Sequence, residues 1–449
     1  VLFIYLILIN IYIFTTNPNQ MSVRIQNWGR SIDFNPGQVL YPSSEDQILT
    51  VLKNASYNKK NVRIIGSGHS WTNLIVTTDI LVSLDEWQGV TQIDENGKWV
   101  EVKSGTKLLK LGNDLWNLGY SMENLGDIDV QSIAGALNTG THGTGKNFGT
   151  LATQIYSITI ALPTGELVEV SENEHHDLFK AAQVSLGALG IITRYKLKVV
   201  KAFNLEYTSK LGKIKDAIDN FDKYNNEYRN YEFYWFPYTE EVQLKLVNET
   251  TKPIQDGGIM RDFNDVVIEN LGYYLLSEWS RTHKNFYKPF SKFSARGVPK
   301  GTWRNHSNKI FATKRWVRFK EMEYNIPKHR FQECITEIMD TIHKRQFRVH
   351  MPLEVRYVKA DDIMISPTHG RDAVYMAVHQ YNGMDYLEYF KNIEAIFWKY
   401  DGRPHYGKMN TMKKEQFENT YPSWGKFSSI QKKCDPEGIM LNDYLKGIL

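Results

Sequence analysis

Two glycine-rich stretches hold the side chains best placed to do chemistry. The first, Gly66-Ser67-Gly68-His69-Ser70, follows Asn61-Val62-Arg63-Ile64-Ile65, which reads as a strand. Gly-x-Gly after a strand makes a backbone nest suited to pyrophosphate. Position 71 is Trp, where a Rossmann loop needs a third glycine opening a helix. The loop also lacks the Lys-Ser/Thr of a P-loop and the Gly-x-Ser-x-Gly order of a hydrolase nucleophile elbow. Alone, it reads as a tight turn, which glycine serves without any ligand. The second stretch runs from Ser132-Ile133-Ala134-Gly135 into Thr139-Gly140-Thr141-His142-Gly143-Thr144-Gly145. It offers amides and hydroxyls with little bulk, which suits a phosphate or a flat ring system. Two such loops in one apparent domain point to a dinucleotide; the alternative is two unrelated turns. His69 reads as a hydrogen-bonding or capping residue; the sharper reading is covalent attachment to a cofactor, since a neutral imidazole nitrogen is a competent nucleophile.

Further along, Glu354 and Arg356 are two residues apart, so on a strand they share a face. Their solvated reading is an exposed ion pair of little energetic weight. Glu174-His175-His176-Asp177 resembles a metal cluster only in composition. Four adjacent side chains cannot converge on one ion, so a capped helix opening is expected there and no metal site.

These residues need elements to hold them. Residues 43–58 read as a helix capped by Ser43 or Ser44, with Asp46 or Gln47 completing a capping box. Residues 61–65, 80–84, 99–103, 155–162 and 191–200 read as strands, and 108–119 as a helix closed by glycine. A turn at Pro163-Thr164-Gly165-Glu166 returns the chain into residues 167–170 as a hairpin. Strands and helices mix without strict alternation, which argues for α+β. After residue 200 the texture changes to alternating aromatic and polar residues at 230–247 and 347–380, so a domain boundary is placed near 201.

The chain has 449 residues, with 54 Lys+Arg against 50 Asp+Glu, enough length for two or more domains. No basic stripe of the kind a nucleic-acid binder needs is visible, so no nucleic-acid partner is expected. Cys334 and Cys434 give no disulfide framework. Val1–Phe14 is apolar but shorter than the ~20 residues of a membrane span. Residues 1–20 therefore read as an extension ahead of a protein beginning near Met21, with a marginal membrane anchor as the alternative. The expected location is cytoplasmic, or membrane-associated if residues 1–20 are genuine.

The ordered set of motifs resembles the sugar-1,4-lactone oxidases, including gulonolactone and arabinonolactone oxidases, with alditol oxidases as close relatives. It comprises the two loops, Asn124-Leu125-Gly126, Gly187-Ala188-Leu189-Gly190, Phe233-Tyr234-Trp235-Phe236-Pro237, Glu354-Val355-Arg356, Asp361-Asp362, Ser366-Pro367, Arg371-Asp372, Arg403-Pro404-His405-Tyr406-Gly407-Lys408, Asp435-Pro436 and Asn442-Asp443-Tyr444.

The resemblance implies a two-domain α+β vanillyl-alcohol oxidase fold. A PCMH-type FAD-binding domain (21–200) would precede an antiparallel-sheet substrate or cap domain (201–449) whose last segment returns to the flavin. It implies FAD held by Ile64, Gly66, Ser67, Gly68, His69, Ser70, Gly126, Asp127, Ser132, Gly135, Thr139, Gly140, Thr141, His142, Gly143 and Ile192, with a covalent link through His69. It further implies hydride removal from a hydroxyl-bearing carbon of a sugar lactone or polyol, with O2 reduced to hydrogen peroxide. Glu354, Arg356, Lys408, His379 and His405 would form the catalytic set. Glu354, His379 and His405 all stand open as the proton acceptor. A dehydrogenase of the same fold, serving a quinone or cytochrome, is the alternative; a flavin-free carbohydrate-binding protein is a more distant one. Three departures from the family pattern matter: Tyr406 replaces a usual Trp, Asp127 replaces a small residue or serine, and Gly126 stands where a dehydrogenase subgroup has alanine. A carboxylate at 127 favours hydroxyl-rich or cationic ligands, and glycine at 126 leaves room for oxygen.

Overall fold

The computed structural model describes residues 23–256, 272–312 and 317–449. The extension at residues 1–20 lies outside them. Strand β1 (Gln38–Leu40), helix α1 (Glu45–Tyr57), β2 (Val62–Ile65) and β3 (Ile80–Ser83) form a small lobe, in which β3 pairs in parallel with both other strands. The capping of α1 is shared by adjacent residues. Ser44 accepts from the Gln47 amide, while Gln47 Oε1 accepts from the Ser43 amide. Ile48, Leu52 and Ala55 recur on one face of α1 and are fully buried against the sheet.

A second lobe follows. It contains β4 (Val90–Ile93), β5 (Trp99–Lys103), α2 (Leu108–Asn117), α3 (Ile133–Asn138), β6 (Ile155–Ala161), β7 (Leu167–Ser171), α4 (His176–Ala182) and β8 (Ile191–Lys198). Its five strands lie in the order β7-β6-β8-β5-β4, all antiparallel. Helix α2 ends before Gly119, whose φ of +82° suits the left-handed region. Helix α4 opens at His176, as the sequence suggests. No side chain caps it; His175 instead turns the backbone at φ +55°.

The second half is one eight-stranded antiparallel sheet. Its members are β9 (Asn204–Lys213), β10 (Asn230–Trp235), β11 (Glu241–Thr250), β12 (Gly301–His306), β13 (Phe319–Pro327), β14 (Leu353–Val358), β15 (Ala373–Tyr381) and β16 (Arg403–Pro404). They are ordered β12-β9-β11-β10-β14-β15-β13-β16. Helices α5 (Gly272–Thr282) and α6 (Tyr287–Arg296) lie between β11 and β12, with α7 (Phe331–Arg345) and α8 (Leu387–Lys399) further on.

Side chains alternate across this sheet. Phe233, Val355, Met376 and Met322 sit in the same apolar cluster as Ile335 and Ile338 of α7 and Ile393 and Phe397 of α8. The intervening residues present polar groups to the other face. Cross-strand register sets Lys245 opposite Glu232, Glu232 opposite Arg356, Tyr234 opposite Glu354, and Glu321 opposite His379. The chain then returns to its start: Ile439 and Met440 join the core of the first lobe, and Arg63 donates to the Met440 carbonyl.

Candidate active site

The first glycine loop leaves β2 with Gly68 at φ +66°. It is fastened from both sides. Trp28 N donates to Gly68 O (2.7 Å), Asn27 Nδ2 to Ser70 O (2.9 Å), and Trp71 N to Gly407 O (2.7 Å). Among the described residues no acceptor faces the amides of Ser67, Gly68, His69 and Ser70. Four free amides in one turn make an anion nest.

A cleft of about 990 Å³ runs beside this loop, lined by Ile64, Gly66, Ser67, Gly68, His69, Ser70, Ser132, Gly135, Thr139 and Ile192 among others. The cradle depends on missing side chains. A Cβ on Gly66 would lie 2.3 Å from Ser132 Oγ, and one on Gly105 1.8 Å from the Leu84 carbonyl oxygen. Arg63, not anticipated from sequence, is buried at the base of the cleft. It donates to the carbonyls of Leu74 (2.6 Å), Leu186 (2.8 Å) and Gly187 (2.9 Å), and burial pulls its pKa down to about 9.

A second, charged pocket of about 560 Å³ shares His69, Ser70, Gln131 and Thr139 with the first, so the two are contiguous. His69 stands at their junction, its ring stacked on Trp28 at 5.5 Å. Burial, with Lys408 and Lys107 nearby, lowers its pKa to about 4, so the ring is neutral at pH 7. Its Nδ1 is buried and has no hydrogen-bond partner.

Asp127, Glu354, Arg356, His405 and Lys408 also line this pocket. The Glu354–Arg356 pair is buried, contrary to its solvated reading. Three carboxylates surround one guanidinium: Glu354 touches Arg356, Asp127 Oδ2 lies 2.7 Å from Nη2, and Glu232 Oε2 lies 2.9 Å from Nε. Lys245 backs the cluster at 2.7 Å from Glu232, and Tyr234 donates to Asp127 at 2.9 Å. Burial opposes charge on Arg356 and Lys245, but the surrounding acids hold both well above their ordinary pKa. Asp127, Glu232 and Glu354 are close enough to share a cation, and Arg356 fills that role.

On the same face of the sheet, beyond β15, Glu321 and Glu323 of β13 reach the pocket two residues apart. Burial pushes both up, yet Lys408 and His379 hold Glu321 well below the carboxylate range, and His142 holds Glu323 at about 2. His142 Nε2 lies 3.1 Å from Glu323, its Nδ1 2.8 Å from Gly143 O, and its ring stacks on Tyr375. Lys408 pairs with Glu321 and sits 4.7 Å over the Trp71 ring. His405 is kept neutral by burial, near a pKa of 3, and its Nδ1 accepts from the Gly407 amide at 3.0 Å. Its remaining proton is therefore on Nε2.

Three expected site residues stand apart from both pockets. His379 sits beside Glu321 across the strands (Nε2 3.5 Å from Oε1), its Nδ1 donating to Pro352 O at 2.8 Å. Gly143 is required for packing, since a Cβ there would lie 2.2 Å from Leu125 O, and Gly140 (φ +72°) turns against Pro367. Glu232, Lys245, Glu321 and Glu323 were not anticipated. The acids at 321 and 323, alternating within an aromatic strand, carried a readable signal.

Comparison with known proteins agrees with this geometry. A family model for an FAD binding domain matches residues 36–171, and one for D-arabinono-1,4-lactone oxidase matches residues 195–448. An L-gulono-1,4-lactone dehydrogenase of Mycobacterium tuberculosis is 33% identical over 96% of this chain and 100% of its own length. The L-gulonolactone oxidase of Mus musculus is 32% identical over 95% of this chain and 98% of its own. The fold matches the cholesterol oxidase of Brevibacterium sterolicum with a TM-score of 0.82 at 17% identity, covering 97% of this chain and 99% of that one. The free amides, the glycine cradle and the unengaged His69 Nδ1 all fit FAD as the group the first cleft takes.

Proposed function

The chain belongs to the D-arabinono-1,4-lactone oxidase family, and on that premise we propose that it oxidises a hydroxyl-bearing carbon of a sugar-1,4-lactone with FAD, delivering the electrons to O2 as hydrogen peroxide. The observation that carries the reading is the junction at His69, where a cleft built of backbone opens into a pocket built of charges. FAD, when bound, supplies the hydride acceptor. Residues 21–200 would carry it and residues 201–449 would cover it with the substrate sheet.

The protein's own groups divide the remaining work. Ile64, Gly66–Ser70, Ser132, Gly135, Thr139 and Ile192 would hold the dinucleotide along the cleft. Gly126, Asp127, Thr141 and His142 would meet it or the sugar at the pocket end. His69, neutral with Nδ1 unengaged, is the proposed point of covalent attachment. Arg356 and Lys408 place two cations on the pocket, where they stabilise developing negative charge and acidify a bound hydroxyl. Glu354 is the proposed proton acceptor. His379 is outside the pocket, and His405 offers only an N–H. Glu321 and Glu323 are too weakly basic. His405 and His379 become positioning residues, the latter acting through Glu321.

A dehydrogenase that passes electrons to another acceptor is the second reading, favoured by the M. tuberculosis relative. Gly126 supports the oxidase, because it lines the pocket and its missing side chain leaves room there for oxygen. The four carboxylates lining the pocket keep a polyol as the alternative substrate. A peroxide assay across lactones and polyols decides among these. Peroxide formed with lactones supports the proposal; turnover only with a dye acceptor assigns the dehydrogenase; turnover only with polyols moves the substrate.

A further inference from the structure

Helices α5 and α6 form a hairpin inserted between β11 and β12, and its outer surface differs from the rest of the molecule. Residues 272–300 hold six basic residues against the single acid Glu278, a net of +5, whereas the whole chain carries +4. The remainder of the protein is thus slightly acidic, and its positive charge is concentrated here. Glu278 is already taken by Arg281 and Tyr381. Lys284, Lys292, Arg296 and Lys300 are exposed and form no ion pair among the described residues.

Large apolar side chains stand beside these cations. On α5, Leu275 and Trp279 lie four residues apart on one face and are 58% and 52% exposed, with Tyr274 at 46%. On α6, Lys292, Phe293 and Arg296 share the outer face, and Phe293 is 61% exposed, the largest exposure of any aromatic among the described residues except Tyr57. The inner face is well anchored. Phe290 and Ser291 are buried, and Tyr273 packs on the cluster of Trp71 and Phe319. The exposed aromatics are therefore displayed by a fixed support.

We propose that the outer face of the α5–α6 hairpin is a docking surface for an anionic phospholipid membrane. The composition separates this partner from a protein. Protein interfaces enrich aromatics but deplete lysine, whereas interfacial helices combine Trp, Phe and Leu with lysine and arginine that reach headgroup phosphates. The mode is peripheral, and no described helix is long and apolar enough to cross a membrane.

The test is co-sedimentation of the full chain with vesicles of phosphatidylcholine, alone or mixed with phosphatidylglycerol, at low and high salt. Binding is expected only to the anionic vesicles and should weaken with salt. Reversing the three charges (Lys284→Glu, Lys292→Glu, Arg296→Glu) should lower affinity roughly 100-fold or more, since loss of each cation alone is worth about five-fold. The pair Trp279→Ala and Phe293→Ala should lower it roughly 10-fold or more by removing buried apolar surface. Flavin content and thermal midpoint serve as the folding control and should hold in both variants. No pelleting of the wild type with anionic vesicles at low salt overturns the proposal. So does binding that survives the charge reversal, or binding insensitive to loss of the aromatics and matched on duplex DNA. Lipid binding is read without turnover, so its failure leaves the catalytic proposal intact.

Discussion

The cleft and the pocket that meet at His69 are built by opposite means. The cleft is made of backbone, free amides and the space left by Gly66 and Gly105. Its chemistry comes from neighbours in sequence. The pocket is made of side chains that satisfy one another across strands far apart in the chain, from Asp127 through Glu232 and Lys245 to Glu354 and Arg356. A backbone site tolerates no added atom, and a side-chain site tolerates no lost charge. The two should therefore fail in distinguishable ways: one in flavin retention, the other in turnover per flavin.

The largest effect is expected from Gly105→Ala. Its Cβ would overlap the Leu84 carbonyl oxygen at 1.8 Å, and backbone cannot step aside as a side chain can. A cost above ~3 kcal/mol is expected, so flavin-to-protein ratio and thermal midpoint should both collapse. A normally loaded protein would break the contrast at its first limb.

Next is Arg356. Arg356→Ala leaves three carboxylates facing each other in a buried site, and removing one member of such a cluster costs ~3–5 kcal/mol. Arg356→Lys keeps the charge but loses the planar fork. It should retain flavin while kcat falls roughly 100-fold or more. Glu354→Gln should behave similarly in kcat, and near-wild-type turnover would remove it as proton acceptor.

Acid should attack both regions with one sign. Burial lowers His69 to about 4 and His405 to about 3, while the unfolded chain binds these protons near pH ~6.5. Stability is thus lost as pH falls from about 6.5 toward those values, by up to ~1.4 kcal/mol per pH unit for each ring. Glu323, held at about 2 against an ordinary 4.5, adds a loss of the same sign below pH 4.5. A thermal midpoint that stays flat from pH 7 to about 4.5 would contradict the buried neutral rings.

The smallest effect is expected at Gly126→Ala, where the new Cβ would sit 2.9 Å from the His142 carbonyl oxygen, a far milder overlap than at Gly105 although backbone must still shift. A penalty near ~1 kcal/mol is expected. Flavin and lactone-driven reduction should be kept, and reaction with O2 slowed. Unchanged O2 reactivity would sharpen the boundary by showing that Gly126 belongs to packing alone.

The same contrast explains what the sequence revealed. The first loop was legible because its function is local: strand, nest and His69 follow in one run of residues. The shared face of Glu354 and Arg356 was legible from strand alternation, but its burial was not. Glu354 and Arg356 are covered because the polar face of the eight-stranded sheet closes over the first two lobes, and alternation cannot tell that from a face in water. Glu232 meets Arg356, with Lys245 on its other side, only because β10 runs between β11 and β14, and Asp127 joins them from the second lobe. No spacing encodes that order. His379 has the parity of the pocket face, yet its ring bonds to Pro352 O, and only Glu321, its register partner, lines the pocket. Gly140 and Gly143 look like ligand-binding glycines but answer to Pro367 and Leu125.

The most direct test of the joined cleft and pocket is to add a sugar-1,4-lactone anaerobically to the purified protein and follow its visible flavin absorbance. The expected result is a yellow protein whose colour is bleached by the lactone and restored by air with release of peroxide, the flavin staying with the polypeptide through acid precipitation unless His69 is replaced by Ala. A folded protein that stays colourless with FAD supplied, or a yellow one that no lactone or polyol bleaches, would contradict it.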